Sequence, residues 1–254
     1  MEQKDEGLLK KLKWAFVNNL KRADDVEAQL GYPVIGRICK YPESVNFIKK
    51  PLMIETLNKS TKYRGCYDRF SEALLNMGER QVFALSGFNR KSGTSICTAN
   101  LAAAFARRGK KVLVIDDNYA SPIQHKLMDI RNQAGMTEVL VNQVIPSEVI
   151  VNVSDNIYIL PPGKQRAEAE KADSMHVMPR LIAVLKGIFD IILIDCPWIA
   201  ERDKPLAFQR YCDGLILIAP SRETDRVKAL KIVRCLEEEN LPLIGICMTK
   251  MEID

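Results

Sequence analysis

Residues 83–95 have the composition and order of a phosphate-binding loop. The apolar segment Phe83–Ser86 runs into small and polar residues, and a helix is expected to follow. The loop pattern G-x-x-x-x-G-K-[ST] holds nucleotide phosphates with backbone amides and a lysine, while its hydroxyl binds magnesium. Gly93 and Ser95 fit this pattern, but Thr94 stands where the lysine belongs and Phe88 where the first glycine belongs. The nucleotide-binding residues predicted from this spacing are Asn89, Arg90, Lys91, Ser92, Gly93, Thr94 and Ser95.

Two aspartates are expected close to this loop. Asp116 and Asp195 each end a short apolar segment, so both would lie at the carboxyl edge of a parallel sheet. In nucleotide-hydrolysing enzymes with such a loop, these carboxylates bind magnesium and its waters, and one polarises the attacking group. Ser95, Asp116 and Asp195 are therefore the predicted magnesium ligands, and the two aspartates are the predicted catalytic residues of an active enzyme. The alternative for each aspartate is a helix N-cap.

The missing lysine weakens the predicted phosphate site. A charge-assisted contact to phosphate contributes roughly 1.5–3 kcal/mol, and more as a transition state gains charge. Thr94 cannot supply it. Arg90 and Lys91 either replace that cation from another direction or lie in solvent. Backbone amides at a helix N-terminus would still attract phosphate.

The elements that must position these residues follow an alternating order. Short apolar segments typical of buried parallel strands are separated by amphipathic segments typical of helices. This order predicts a doubly wound, mostly parallel sheet flanked by helices, with ligands at the carboxyl ends of the strands. The predicted strands are 81–86, 111–116, 156–160, 189–195, 214–219 and 243–248, and the predicted helices are 61–77, 98–108, 175–187 and 224–239.

The first 60 residues differ from the rest, so the predicted domains are residues 1–60, a juxtamembrane-like helix and linker, and residues 61–254. Leu8 to Leu20 is basic and amphipathic, with an interfacial tryptophan at Trp14. It is either a surface helix packed on the sheet or a segment that lies on an anionic membrane surface. Pro42 and Pro51 fall in the expected linker.

Composition narrows the function classes. The chain has 254 residues, a net charge of +5, seven cysteines and two histidines. The scattered cysteines favour a reduced, cytoplasmic protein, and two histidines make a His-rich metal centre or a Ser-His-Asp triad an improbable reading. No apolar run approaches the roughly 20 residues that span a bilayer, and no signal peptide is predicted. The modest charge gives no reason to expect a nucleic acid partner.

Several segments together resemble one family. The chain is similar to the bacterial tyrosine kinases of capsule and exopolysaccharide synthesis, within the MinD/ParA class of P-loop ATPases, and the similarity runs from about residue 8 to 250. The resemblance implies ATP or ADP and magnesium as ligands. The stretch 22–36 is similar to the part of polysaccharide co-polymerases that follows their second membrane helix. The matching segments are 86–102, 111–116, Pro122, His125, 135–140, 160–163, 189–197 and 213–218.

The departures from the family fall on its functional motifs. Thr94 replaces the loop lysine, and Asp116-Asp117-Asn118 keeps only the first acid of Asp-x-Asp. Ala120-Ser121 replaces an arginine pair, and Thr249 replaces an asparagine that contacts the base. The family's C-terminal tyrosine cluster is not present before Asp254. The Glu-x-x-Arg-x-x-Arg assembly motif falls on Gly65, Asp68 and Ser71.

These losses together predict a pseudokinase. The resemblance implies a domain on the cytoplasmic face of a bacterial plasma membrane, involved in capsular or exopolysaccharide synthesis and chain-length regulation. Its predicted partners are the polymerisation and export machinery or a related kinase, with the membrane reached through the basic N-terminal helix or a preceding transmembrane segment. The first alternative is an active tyrosine autokinase with an unconventional loop. The second is a MinD/ParA-type ATPase.

Overall fold

A computed structural model describes residues 19–41, 61–164, 174–199 and 211–252, with side chains from Met178 onward in the third segment. The predicted basic helix lies outside the described residues except for Asn19 and Leu20, and so does the predicted linker from residue 42 to 60. Among the described residues, no helix has the length and apolar character to cross a membrane.

In the described ranges eight strands form one sheet; one helix precedes the first strand and the others lie between strands in the chain. The strands are β1 Val34–Cys39, β2 Val82–Gly87, β3 Val112–Asp116, β4 Val151–Ser154, β5 Ile157–Leu160, β6 Ile191–Asp195, β7 Gly214–Pro220 and β8 Leu243–Met251. The helices of the described residues are α1 Ala23–Leu30, α2 Thr61–Leu75, α3 Thr94–Arg107, α4 Gln124–Leu127, α5 Met136–Asn142, α6 Pro146–Val149, α7 Ser174–Lys186 and α8 Arg226–Glu238.

The sheet order is β1-β8-β7-β2-β6-β3-β5-β4. Every neighbouring pair is parallel except the hairpin of β4 and β5, which is antiparallel. The predicted doubly wound, mostly parallel sheet with flanking helices is confirmed. Strand β2 lies between β6 and β7. After β2, strands β3 to β6 are added on one side of it, and β7 and β8 on the other, so the strand order changes side at Gly87, the last residue of β2. Ligand sites of open parallel sheets lie at such a point.

Successive residues of a strand point to opposite faces of the sheet. Helices cover both faces, so the side chains on each face are buried. Val82 and Ala84 belong to one hydrophobic core, together with residues of α1, α7 and α8. Phe83 and Leu85 belong to a second core, together with residues of α2 and α3. The two cores fix the position of β2 from both sides, and therefore the position of the loop that follows it.

The edge strand β1 was not predicted from the sequence. Val34 pairs with Ile246 and Cys39 with Met251, so this early segment joins the last strand, β8. Gly36 allows the close approach, because a Cβ atom there would lie 2.7 Å from the Cys247 sulfur. Residues 34–39 are thus part of the sheet, whereas the sequence analysis placed them in a helix-and-linker segment. The domain division at residue 60 stays a prediction.

Asp213 links three elements at the amino end of β7. Its carboxylate accepts hydrogen bonds from the backbone amides of Gln81 and Val82, both at 2.9 Å. It also forms an ion pair with Lys186 Nζ at 2.7 Å. Although partial burial opposes it, these contacts lower the pKa of Asp213 below its usual value. The stabilisation is therefore present above the ordinary pKa of an aspartate and is lost as the pH falls through the lowered folded-state value.

We expect Asp213→Asn to lower the free energy of unfolding by about 1–2 kcal/mol near neutral pH, because the ion pair and one charged acceptor are lost. The difference from the parent protein should shrink as the pH falls below about 4, where the aspartate itself becomes protonated. Urea denaturation at several pH values measures both effects. Asp155→Asn, at an exposed turn residue, is the control, and an equal loss in both variants would contradict the assignment.

Candidate functional site

The predicted phosphate loop joins β2 to α3 and is closed by its own hydrogen bonds. The buried Ser92 hydroxyl donates to the Asn89 carbonyl and accepts from the Asn89 amide. Gly93 has a φ of 88°, and α3 begins at the next residue. A Cβ atom on Gly87 would lie 2.5 Å from the Ser92 hydroxyl oxygen, so the tight loop requires glycine there. The local sequence therefore folds into the predicted strand–loop–helix unit.

A cavity of about 690 Å3 opens at this loop. All seven residues predicted to bind a nucleotide line it, whereas Asp116 and Asp195 do not. The structure therefore brings the seven residues together around one cavity. Their role in binding a nucleotide, and the roles of the two aspartates, stay predictions. The other lining residues were not predicted to bind a ligand, although Asn118 and Ser121 fall on the family's acidic motif and arginine pair. The remaining lining residues are Ile96, Asn118, Ser121, Ile123, Cys196 and Trp198.

Position 94 is the first residue of α3 and carries no charge. The Thr94 carbonyl accepts the Thr98 hydroxyl at 3.0 Å, as in an ordinary first helical turn. Arg90 and Lys91 both line the cavity, and Lys91 has a left-handed φ of 60°. The cations of this loop therefore lie before Gly93, whereas the motif lysine follows that glycine. A phosphate held here would meet positive charge from a different direction.

Asp116 and Asp195 lie side by side beneath the cavity. They pair directly across β3 and β6, and both are completely buried. The two carboxylate oxygens of Asp116 accept the backbone amides of Asn118 and Gln124, each at 3.1 Å. These bonds turn the chain after β3 and start α4. Asp116 thus accepts the amide of the first residue of α4 without being its N-cap, which is Ile123. The metal-binding role of the pair stays a prediction.

Gln124 connects the acidic pair to the phosphate loop, and this role was not predicted from the sequence. Its side-chain nitrogen donates to Asp195 Oδ2 at 2.8 Å and to the Ser95 carbonyl at 2.9 Å. The residue is fully buried. A single glutamine in a polar segment carries no spacing signal that would have indicated this role.

Burial raises the pKa values of both aspartates. The pKa of Asp116 is raised well above its usual value by desolvation and by the neighbouring Asp195. Desolvation raises the pKa of Asp195 to about 6, although hydrogen bonds from Ser95 and Gln124 oppose the rise. Without a cation beside them, two adjacent buried carboxylates favour holding a proton.

Few oxygen atoms of the predicted magnesium ligands are free of other contacts. Magnesium takes six oxygen atoms in near-ideal octahedral geometry, of which proteins usually supply one or two carboxylates while waters and phosphates supply the rest. Both oxygens of Asp116 are hydrogen-bonded to backbone, and Asp195 Oδ2 is bonded to Gln124. Asp195 Oδ1 is the one carboxylate oxygen of the pair for which the described residues provide no partner. No group of three or more acidic, cysteine or histidine side chains within the described ranges could hold a metal ion.

Three positions that depart from the family motifs have contacts within the chain. The Thr249 hydroxyl, at the position of the base-contacting asparagine, donates to the Ser92 carbonyl at 3.1 Å. Asp68, in the segment aligned with the assembly motif, accepts Arg107 at 2.5 Å. The buried Ser71 hydroxyl accepts Arg108 Nε at 3.0 Å. In this chain these positions serve the phosphate loop and the contact between α2 and α3.

Comparison with known proteins finds one family match and several similar sequences. Residues 82–201 match the AAA_31 family, described as an AAA domain. CapB of Staphylococcus aureus is 25% identical over 210 residues, covering 80% of this chain and 91% of CapB. The succinoglycan biosynthesis transport protein ExoP of Rhizobium meliloti is 25% identical over 72% of this chain. The chain spans nearly all of CapB but only 24% of ExoP.

Solved structures agree with this relationship at the level of the fold. The kinase domain of the Escherichia coli tyrosine kinase ETK superposes with a TM-score of 0.77 at 17% identity, covering 91% of this chain and 94% of that one. MinD from Pyrococcus horikoshii OT3, complexed with Mg-ADP, gives a TM-score of 0.56 at 24% identity, covering 65% and 68%. The predicted resemblance is confirmed: the chain is similar in sequence to CapB, a putative tyrosine-protein kinase, and shares its fold with the ETK kinase domain and with MinD.

Proposed function

We propose that this relative of the bacterial tyrosine kinases is a pseudokinase domain of capsular or exopolysaccharide synthesis. It would bind other proteins of the polymerisation and export machinery, or a related kinase, and regulate chain length without transferring phosphoryl groups. The observation that carries the proposal is Thr94, an uncharged residue at the start of α3 where the phosphate-binding lysine belongs. Without that cation the loop lacks the contact that stabilises the charge developing during phosphoryl transfer.

The region aligned with the assembly motif supports the same function. The resemblance implies that the charged groups of the Glu-x-x-Arg-x-x-Arg motif pack one kinase subunit onto the next. Here the Asp68 carboxylate is paired with Arg107 of the same chain, and Ser71 is buried. A domain that docks onto other proteins does not need that arrangement. The proposal therefore accounts for the changed assembly motif and the changed phosphate loop together.

The proposed location is the cytoplasmic face of a bacterial plasma membrane. The support comes from the relatives, because ExoP is named as a transport protein of succinoglycan biosynthesis. The membrane link would be the basic segment before Asn19 or a preceding transmembrane segment. A pelleting assay with vesicles of anionic and of neutral lipids measures the first route.

An active tyrosine kinase with an unconventional loop is the second candidate. One observation favours it: Arg90 and Lys91 both line the cavity. In that function either side chain would supply the phosphate cation, and Lys91→Ala would abolish turnover. In a pseudokinase, Lys91→Ala would leave the baseline unchanged.

Two assays on the purified chain decide between these functions. Calorimetry measures the binding of ATP and ADP with and without magnesium, and incubation with labelled ATP measures transfer to the chain itself and to a tyrosine-containing peptide. A pseudokinase gives no transfer and binding weaker than a Kd of about 1 mM. Magnesium-dependent micromolar binding together with labelled tyrosine would establish the active kinase.

Thr94→Lys tests directly whether the missing lysine weakens nucleotide binding. We expect this variant to bind ATP about 10- to 100-fold more tightly than the parent protein, since a charged contact to phosphate contributes roughly 1.5–3 kcal/mol. Calorimetry without magnesium measures the gain. Ser147→Lys adds the same charge at an exposed residue outside the cavity lining. Equal gains in the two variants would show a general charge effect, and no gain in Thr94→Lys would contradict the assigned role of position 94.

A further inference from the structure

Gln124 contacts all three residues that the sequence assigns to a magnesium ion. Its backbone amide donates to Asp116, and its side-chain nitrogen donates to Asp195 and to the Ser95 carbonyl. An amide nitrogen carries two hydrogens, so both donors of the side chain have acceptors. The residue therefore joins the end of β3, the end of β6 and the first turn of α3.

The Gln124 amide group holds two oxygen atoms together, as a bound cation would. It attracts a buried carboxylate from one side and a carbonyl oxygen from the other, which is the arrangement that a metal ion would otherwise create. The side chain is neutral, however, and its contact with the carboxylate is a single hydrogen bond, to Asp195 Oδ2. Because Gln124 is completely buried, its amide occupies space beside Asp195 that solvent and ions cannot share.

We propose that Gln124 is a specificity-determining residue of the acidic pair: its side-chain amide holds Asp195 against the first turn of α3 in place of a divalent cation and so excludes the metal. The inference rests on the proposed function and deepens it. When an amide already holds Asp195, the acidic pair does not form the metal site that a phosphoryl-transfer enzyme requires. Ser95, Asp116 and Asp195 would regain the capacity for a metal ion when the amide is removed.

Binding of Mn2+ without nucleotide tests the proposal. Electron paramagnetic resonance counts free and bound Mn2+ in solutions of the parent protein, Gln124→Ala and Gln133→Ala, the last a substitution of an exposed glutamine. We expect the parent protein and Gln133→Ala to behave alike, and Gln124→Ala to bind Mn2+ at least about tenfold more tightly. Equal binding by the parent protein and Gln124→Ala, or a gain in Gln133→Ala of the same size, would overturn the proposal.

A second variant covers the case in which Gln124→Ala does not fold, since that change removes a hydrogen-bond donor from a buried carboxylate. Gln124→Glu keeps the shape of the side chain but replaces the donor by a third acid. We expect magnesium chloride to raise its thermal midpoint by more than it raises that of the parent protein, because an ion that binds only the folded state stabilises it. Equal shifts in the two proteins would contradict the inference.

These readouts separate the inference from the proposed function. Metal binding by Gln124→Ala is measured without nucleotide and does not require transfer activity. If the parent protein transfers phosphate, the pseudokinase proposal fails, whereas the inference about Gln124 fails only through the metal measurements. If Gln124→Ala gains no metal while the parent protein proves inactive, the loss of activity has another cause, such as Thr94.

Discussion

Asp195→Asn is expected to raise the free energy of unfolding at about pH 8, by on the order of 3 kcal/mol at most. In the folded protein the Asp195 carboxylate is completely buried beside Asp116, with its pKa raised to about 6. Keeping it ionised at alkaline pH therefore costs free energy. An asparagine removes the charge and keeps an oxygen that accepts the hydrogen bond from Gln124.

The pH dependence has a definite sign. A carboxyl group with a raised folded-state pKa binds more protons in the folded than in the unfolded chain, so stability falls as the pH rises from the unfolded value to the folded value. For Asp195 this window runs from its usual 3.8 to about 6. We expect the parent protein to lose stability across that window and Asp195→Asn to lose less.

Urea denaturation from about pH 4 to about pH 8 measures this difference, with Asp155→Asn at the exposed turn as the control. A loss of stability in Asp195→Asn at the higher pH would mean that the bonds from Gln124 and Ser95 outweigh the cost of the buried charge. The same variant also bears on function. In an active kinase it would abolish turnover, whereas in a pseudokinase it changes stability alone.

Gly135→Ala is expected to lower the free energy of unfolding by more than about 4 kcal/mol or to prevent folding. A Cβ atom at this position would lie 1.9 Å from the Pro161 carbonyl oxygen and 2.7 Å from the Gly163 nitrogen. All the atoms it meets there belong to the backbone, so no side chain can move aside. The same carbonyl accepts the Met136 amide at 2.8 Å, which fastens the start of α5 to the segment after β5.

Gly65→Ala is the matched control because it makes the same chemical change inside α2. The nearest atom to a Cβ there is the end of the Arg69 side chain at 3.5 Å. Alanine in a helix interior is favoured over glycine by roughly 0.5–1 kcal/mol, so this variant should be unchanged or slightly more stable. Thermal and urea denaturation of both variants give the comparison. Comparable stability of Gly135→Ala and the parent protein would show that the contact with Pro161 relaxes easily.

The central strands could be predicted from the sequence because burial on both faces leaves continuous apolar runs. Val112–Asp116 and Ile191–Asp195 were found in this way, and Asp116 and Asp195 were placed at the same edge because parallel strands share their direction. The edge strand Val34–Cys39 has a glycine and an arginine in its middle and is only partly buried, so its pattern is weaker. Its pairing with β8 depends on a contact between distant parts of the chain.

The candidate site was predictable where a motif fixes the geometry. The loop from Asn89 to Ser95 has a spacing that only a few backbone conformations satisfy, and those residues line the cavity. The hydrogen bonds of Gln124 depend instead on how α4 turns back after β3, and the sequence gives no periodicity for that turn. The resemblance to metal-dependent kinases pointed toward a metal at the acidic pair, whereas the chain places an amide there.

The pairing of β1 with β8 has a consequence for how the protein is made. A ribosome releases Val34–Cys39 early, whereas its partner strand, Leu243–Met251, is released after all the other described strands. The edge strand therefore waits, with unpaired backbone groups, until the rest of the sheet has formed. During that interval it is open to chaperones or to an edge of a neighbouring chain. Synthesis interrupted before β8 would leave a sheet to which the N-terminal segment is not attached.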